Sequence, residues 1–303
     1  MTRAISDPLA PNGKELRQLL SQRLHDPHGV LGVHPVPGHP GTWVLRAFHP
    51  DATGAVALLH EAGAAPMRLL HKSGLFAALL EGHAHPPSYQ LRFQFADGSE
   101  FERGDPYRFL PTLGDLDLHL IGEGSHQKLW EVLGAHPRVM AGVAGVAFAV
   151  WAPNAGRVNL VGNFNAWDGR LHPMRPLGGS GVWELFIPDL AEWAIYRYEI
   201  VARDGALSLK TDPLAFTCEL RPKTAGLVFN HERYAWNDGD WLKARAGRNL
   251  RQEPFAVYEV HLGSWMRTEG EGGGWLTYRE IAPRLAEHVR RLGFTHVELL
   301  PVA

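Results

Sequence analysis

Two short stretches, Glu259-Val260-His261 and His296-Val297-Glu298, carry residues whose types and spacing could do chemistry. Each pair alternates along an apolar run, so in an extended chain its two polar side chains share one face. Two carboxylates held roughly 5 Å apart are what retaining cleavage of a glycosidic bond uses. Acids in the middle of a strand, however, more often pair with a neighbouring histidine or arginine in an interior. Reacting groups in a parallel βα barrel sit on loops and strand ends at its C-terminal face. The expectation for Glu259 and Glu298 is therefore structural, and no catalytic residue is assigned to this chain.

The run Asn163-Phe164-Asn165-Ala166-Trp167-Asp168-Gly169 suggests binding instead. A tryptophan in a turn flanked by amides could offer a ring to a sugar face, with Asn163 and Asn165 serving hydroxyls. Trp167 could equally fold back onto its own domain. Trp43, Trp151 and Trp183 lie inside strand-like runs and are expected in cores. The 17 histidines are scattered, and His83-x-His85 reads as a solvated turn rather than a metal site. Gly272-Gly273-Gly274 is not followed by Lys-Ser/Thr and reads as a flexible loop, not a phosphate cradle. No metal and no cofactor is expected.

The elements that must position these groups announce themselves by repetition. Val30-Leu31-Gly32-Val33-His34-Pro35 returns as Val132-Leu133-Gly134-Ala135-His136-Pro137, an offset of 102 residues. Asp97-Gly98 and Asp105-Pro106 return as Asp204-Gly205 and Asp212-Pro213, an offset of 107. Drift of that kind places insertions in loops. Each copy has short alternating runs and turn signals, which suits an immunoglobulin-like β-sandwich. In the second copy Phe148, Val150, Val158, Leu160, Trp183, Leu185 and Ile187 should face inward. At the other end, strands near Ala256–Leu262 and Thr295–Leu300 bracket a helix marked by Ile281, Leu285, Val289 and Leu292. Thr277 with Glu280 fits a capping box, whereas Pro283 would suit a first turn, so the helix start stays open between them. The barrel this unit would begin needs about eight strands and roughly 250 residues.

The chain is thus expected to be mainly β: two tandem immunoglobulin-like β-sandwiches, then the first β-α-β unit of an incomplete (β/α)8 barrel. The expected division is an N-terminal segment with a short helix at 1–27, a first sandwich at 28–113 and a linker with a short helix at 114–134. A second sandwich at 135–230, a linker at 231–253 and the barrel start at 254–303 complete it. The net charge of −2 gives no electrostatic reason for a nucleic-acid or membrane partner. Cys218 is the only cysteine, which excludes an intrachain disulfide and suggests a reducing compartment. Met1 to Pro11 lacks the pattern of a secretory signal, and no apolar run is long enough to span a membrane, so a cytoplasmic location is expected.

Phe148-Ala149-Val150-Trp151-Ala152-Pro153-Asn154-Ala155 and Val161 to Gly169 resemble a family 48 carbohydrate-binding module. His172-Pro173-Met174-Arg175, Arg221-Pro222-Lys223-Thr224-Ala225 and Tyr258-Glu259-Val260-His261-Leu262-Gly263-Ser264-Trp265 narrow this to bacterial glycogen branching enzymes of glycoside hydrolase family 13. That resemblance runs from about Leu24 to Ala303. It implies an enzyme, monomeric when full length, that cleaves an α-1,4-glucan and passes it to a 6-hydroxyl. The family's catalytic carboxylates would lie downstream of Ala303, leaving this chain inactive alone. It also implies a second aromatic just after the Asp-Gly hairpin, where Ala206-Leu207-Ser208 stands instead, so sugar binding at Trp167 should be weak. A related debranching or trehalose-releasing enzyme, or a freestanding glucan-binding protein, remains the alternative.

Overall fold

The computed structural model describes residues 7–249, 251–268 and 273–302. Residues 1–6 and Gly272 of the glycine run, like Ala303, lie outside the described residues. The chain forms two compact units, Met1–Arg233 and Tyr234–Ala303.

The first unit opens with α1 (Gly13–Leu20), started by a capping box in which the Asn12 side chain accepts from the Lys14 and Glu15 amides. Seven strands follow: β1 (Gly32–Pro35), β2 (Thr42–Phe48), β3 (Ala52–Leu59), β4 (Gly63–His71), β5 (Leu75–Glu81), β6 (Tyr89–Phe95) and β7 (Glu100–Gly104). Their hydrogen-bonded order is β1-β2-β5-β4-β3-β6-β7. β4 passes between layers: Gly63–Met67 pair with β3, while Arg68–His71 pair with β5. Leu45, Ala47, Phe76 and Leu80 from one layer meet Ala55, Ala57, Leu91 and Phe93 from the other.

α2 (Asp115–Glu123) and a 3-10 turn at Leu129–Glu131 connect the first sandwich to the second. There β8 (Gly134–Met140), β9 (Val143–Trp151), β10 (Ala155–Gly162), β11 (Arg175–Pro176), β12 (Val182–Pro188), β13 (Ile195–Ala202), β14 (Leu207–Lys210), β15 (Thr217–Cys218) and β16 (Gly226–Leu227) make two sheets. One runs β11-β12-β9-β8; the other runs β10-β13-β16-β15 with β14 on the flank of β13. All seven residues expected to face inward are buried. Burying one such side chain fully is worth about 1.5–3 kcal/mol.

The sequence repeat reappears as a repeated set of bonds. Tyr89 donates to Asp105 at 2.7 Å, and Tyr196 donates to Asp212 at 2.6 Å. The same aspartates accept from the Tyr107 and Leu214 amides. Gly32 (φ +86°) and Gly134 (φ +103°) sit under these clasps, where an added Cβ would lie 2.6 Å from Tyr107 O and 3.0 Å from Leu214 O. His34 and His136 each hold a carbonyl three residues back, Leu31 and Leu133, at 2.9 Å. The two sandwiches also share one core, which joins Leu31, Leu75 and Tyr107 to Phe148, Leu160 and Trp183. Arg170 reaches Asp51 across the junction at 3.5 Å.

The second unit holds α3 (Gly239–Ala246), β17 (Val257–Val260), α4 (Leu262–Trp265), α5 (Tyr278–Arg291) and β18 (His296–Leu299). β17 and β18 pair in parallel around α5, a single β-α-β unit. The capping box decides where α5 starts: Glu280 accepts from the Thr277 amide at 2.8 Å, and Pro283 lies inside the helix. Val260, Leu285 and Val289 pack together. Leu292, expected on the buried stripe, is exposed because it is the helix C-cap, where the periodicity ends.

Candidate functional site

The turn that follows β10 is the site the sequence favours for binding. Its backbone turns through a 3-10 segment at Asn163–Asn165 and then through two left-handed residues, Ala166 (φ +51°) and Trp167 (φ +62°). Left-handed backbone costs a residue with a Cβ about 1–2 kcal/mol, so something must hold it. Asn165 does. Its Oδ1 accepts from the Gly162 amide at 2.9 Å, and its Nδ2 donates to Leu160 O at 2.9 Å and to His172 Nδ1 at 2.8 Å. Asn163 Oδ1 accepts from the Ile195 amide at 3.0 Å, tying the turn to β13. Gly162 permits that approach, since a Cβ there would sit 2.1 Å from Ile195 O.

The outcome for the three expected site residues is unequal. Trp167 is 42% exposed and its indole N–H has no hydrogen-bond partner among the described residues. Asn165 is buried, with both ends of its amide engaged by the protein. The Asn163 oxygen is engaged as well. The geometry presents a ring and uses the two amides to position it. Beside it, Asp168 takes three hydrogen bonds from the Arg170 side chain and one from its amide. Burial alone would push the Asp168 carboxyl up, but those Arg170 bonds bring it below the ordinary carboxylate value. Burial pushes the His172 imidazole well below its usual value, so this ring is neutral.

Trp151 departs from its expected place in the core. Trp183 is buried with its N–H on Ala152 O, and Trp43 is half-buried with its N–H on His83 O. Trp151, by contrast, is 55% exposed at the last position of β9, its N–H on Ser180 O. Alternation puts Ala149 and Trp151 on the outer face. Leu113, Leu133 and Leu177 cover Ala149 there, but the cover stops short of Trp151. Trp193 is a further exposed ring that the sequence reading missed. It also has left-handed backbone (φ +68°), and the Arg233 guanidinium lies 5.6 Å from its centre.

In the second unit Glu259 and Glu298 stand directly opposite each other in the parallel register, about 4.8 Å apart along the ladder. Both are exposed, and neither forms an ion pair among the described residues. The pairing expected for mid-strand acids is therefore not made within this unit, where α5 covers only the other face. His261 does not share the strand face of Glu259. β17 ends at Val260, and His261 caps α4, its Nδ1 2.8 Å from Ser264 Oγ. Among the described residues no group of three or more His, Cys, Asp and Glu side chains could hold a metal ion.

Known proteins share these parts in the same order. Residues 12–107 match the family described as alpha-1,4-glucan branching enzyme GlgB, N-terminal domain. Residues 132–215 match carbohydrate-binding module 48 (isoamylase N-terminal domain). The chain is similar to 1,4-alpha-glucan branching enzyme GlgB of Frankia casuarinae, 50% identical over 95% of this chain and 35% of the relative. It is 51% identical to that of Paramagnetospirillum magneticum, over 91% of this chain and 37% of the relative. With that of Myxococcus xanthus it shares 47% identity, over 95% of this chain and 39% of the relative. The chain thus spans well under half the length of these curated relatives. In these matches the chain is similar to the N-terminal part of the 1,4-alpha-glucan branching enzymes GlgB.

Proposed function

We propose that the protein is the substrate-engaging, non-catalytic part of a 1,4-α-glucan branching enzyme, which forms α-1,6 branches by retaining transglycosylation when whole. The observation that carries this reading is near 50% identity along 95% of the chain to a curated branching enzyme of which it spans 35%. The sandwiches supply Trp167 as a ring for the glucan, and the second unit supplies one β-α-β unit of a larger catalytic fold. Glu259 and Glu298 are exposed neighbours within the strands, whereas this kind of fold carries its reacting groups on loops and strand ends, so they are not assigned the chemistry. Pure chain incubated with amylose should give no rise in α-1,6 linkages by proton NMR; a rise would refute the reading. The expected compartment is the cytoplasm, consistent with a single exposed free cysteine. The expected partner is α-1,4-glucan, with no cofactor.

A second reading, glucan binding with no link to catalysis, draws on the exposure of Trp167. Adding the remaining catalytic portion of a relative in trans or by fusion separates the two. Restored branching supports the enzyme reading.

A further inference from the structure

We propose that the cleft between the two sandwiches, where β7 meets the turn after β12, is a second binding site, built for a neutral polyhydroxyl ligand such as a short α-glucan segment. It is a cavity of about 390 Å3, within the size range of small-molecule pockets, roughly 300–1,000 Å3. Gly104 makes it possible. A Cβ there would fall 2.5 Å from Pro188 Cγ, so only glycine lets β7 lie this close to the second sandwich.

Of the charged groups lining the cleft, Glu102 is held by Arg92 at 2.6 Å, but others are unused. The guanidinium of Arg103 lies 5.1 Å from the Phe93 ring centre, its buried Nε has no hydrogen-bond partner, and no carboxylate pairs with it among the described residues. Leaving such a donor buried and unmet costs about 1–3 kcal/mol. Asp189 faces the same space with left-handed backbone (φ +61°) and accepts no side-chain hydrogen bond among the described residues. Strained backbone of this kind gathers at ligand clamps. His172 completes the set. With Nδ1 accepting from Asn165, its Nε2 carries the proton and has no acceptor among the described residues. Phe101, 52% exposed, and Phe164 add ring surface.

The mixture selects the ligand class. Arg103 alone would invite an anion, but the Asp189 carboxylate lines the same cavity and would repel it. Donors and an acceptor set around ring faces suit hydroxyls that both give and take hydrogen bonds, on a molecule with apolar C–H faces. That the polyol is a glucan rests on the proposed function; the site itself does not.

The test is a titration of the full chain with maltotetraose, followed by amide NMR. Shifts are expected at Gly104 and Asp189 as well as at the Trp167 turn. Asp189→Asn keeps a residue that tolerates left-handed backbone and should weaken cleft binding about tenfold, the worth of one charged hydrogen bond. Arg103→Gln should act in the same direction, and Trp167→Ala should leave the cleft shifts unchanged. Shifts confined to the Trp167 turn, or cleft affinity unchanged in both Asp189→Asn and Arg103→Gln, overturn the cleft and leave the first reading standing. No shift anywhere overturns both.

Discussion

Trp167 is exposed because residues that never meet a ligand force it to be. Replacing it with alanine should slow no folding step and should still reduce retention on glycogen in affinity electrophoresis. Circular dichroism is expected to stay unchanged, and unaltered mobility would reject the ring as a platform. Asn165→Ala should behave in the opposite way. It removes the partners of the Gly162 amide and the Leu160 carbonyl, so urea unfolding should show a loss of about 1–3 kcal/mol. That division was only half legible in the sequence. The turn could be read from Asn, Trp, Asp and Gly in succession. Whether an amide faces a ligand or its own backbone depends on His172, seven residues on, and on the return of β13, which no local pattern reveals.

Strands were the most legible elements, since period two fixes which side chain faces inward wherever both sheets supply a core. The reading failed where that condition lapsed. Trp151 ends its strand beyond the covering residues. The Tyr-Asp clasps allow a comparison between copies. Asp212 accepts from Tyr198 at 3.3 Å as well as from Tyr196, whereas Asp105 has Tyr89 as its one side-chain donor among the described residues. Tyr89→Phe is therefore expected to destabilise more than Tyr196→Phe, within about 1–3 kcal/mol each. Equal losses in chemical denaturation would contradict this. In α5, Pro283 withholds a helix hydrogen bond, and Pro283→Ala should raise helix content.

At the scale of the molecule, the junction between sandwiches responds to pH. His28 and His49 are held down to about 3 and about 4 from an ordinary 6.5. Burial is the main cause for both, reinforced by Arg175 at His28 and by Arg103 at His49, where Asp51 and Asp168 oppose it. The unfolded chain binds their protons more readily than the folded one. Their contribution is thus present above pH 6.5 and lost as pH falls toward 4. The melting temperature should drop across that window, and His28→Gln should flatten the drop; a flat wild-type profile would exclude the effect. The β-α-β unit leaves Val257, Val297 and Leu299 exposed. Limited proteolysis should accordingly remove residues after about 233 before it opens the sandwiches.

The paired clasps also speak to ancestry. Both copies keep the same tyrosine, aspartate, glycine and histidine in the same bonds, as two copies of one duplicated segment would. One copy carries an aromatic finger at Trp167, while the bonds that close the ends of the two sandwiches are alike.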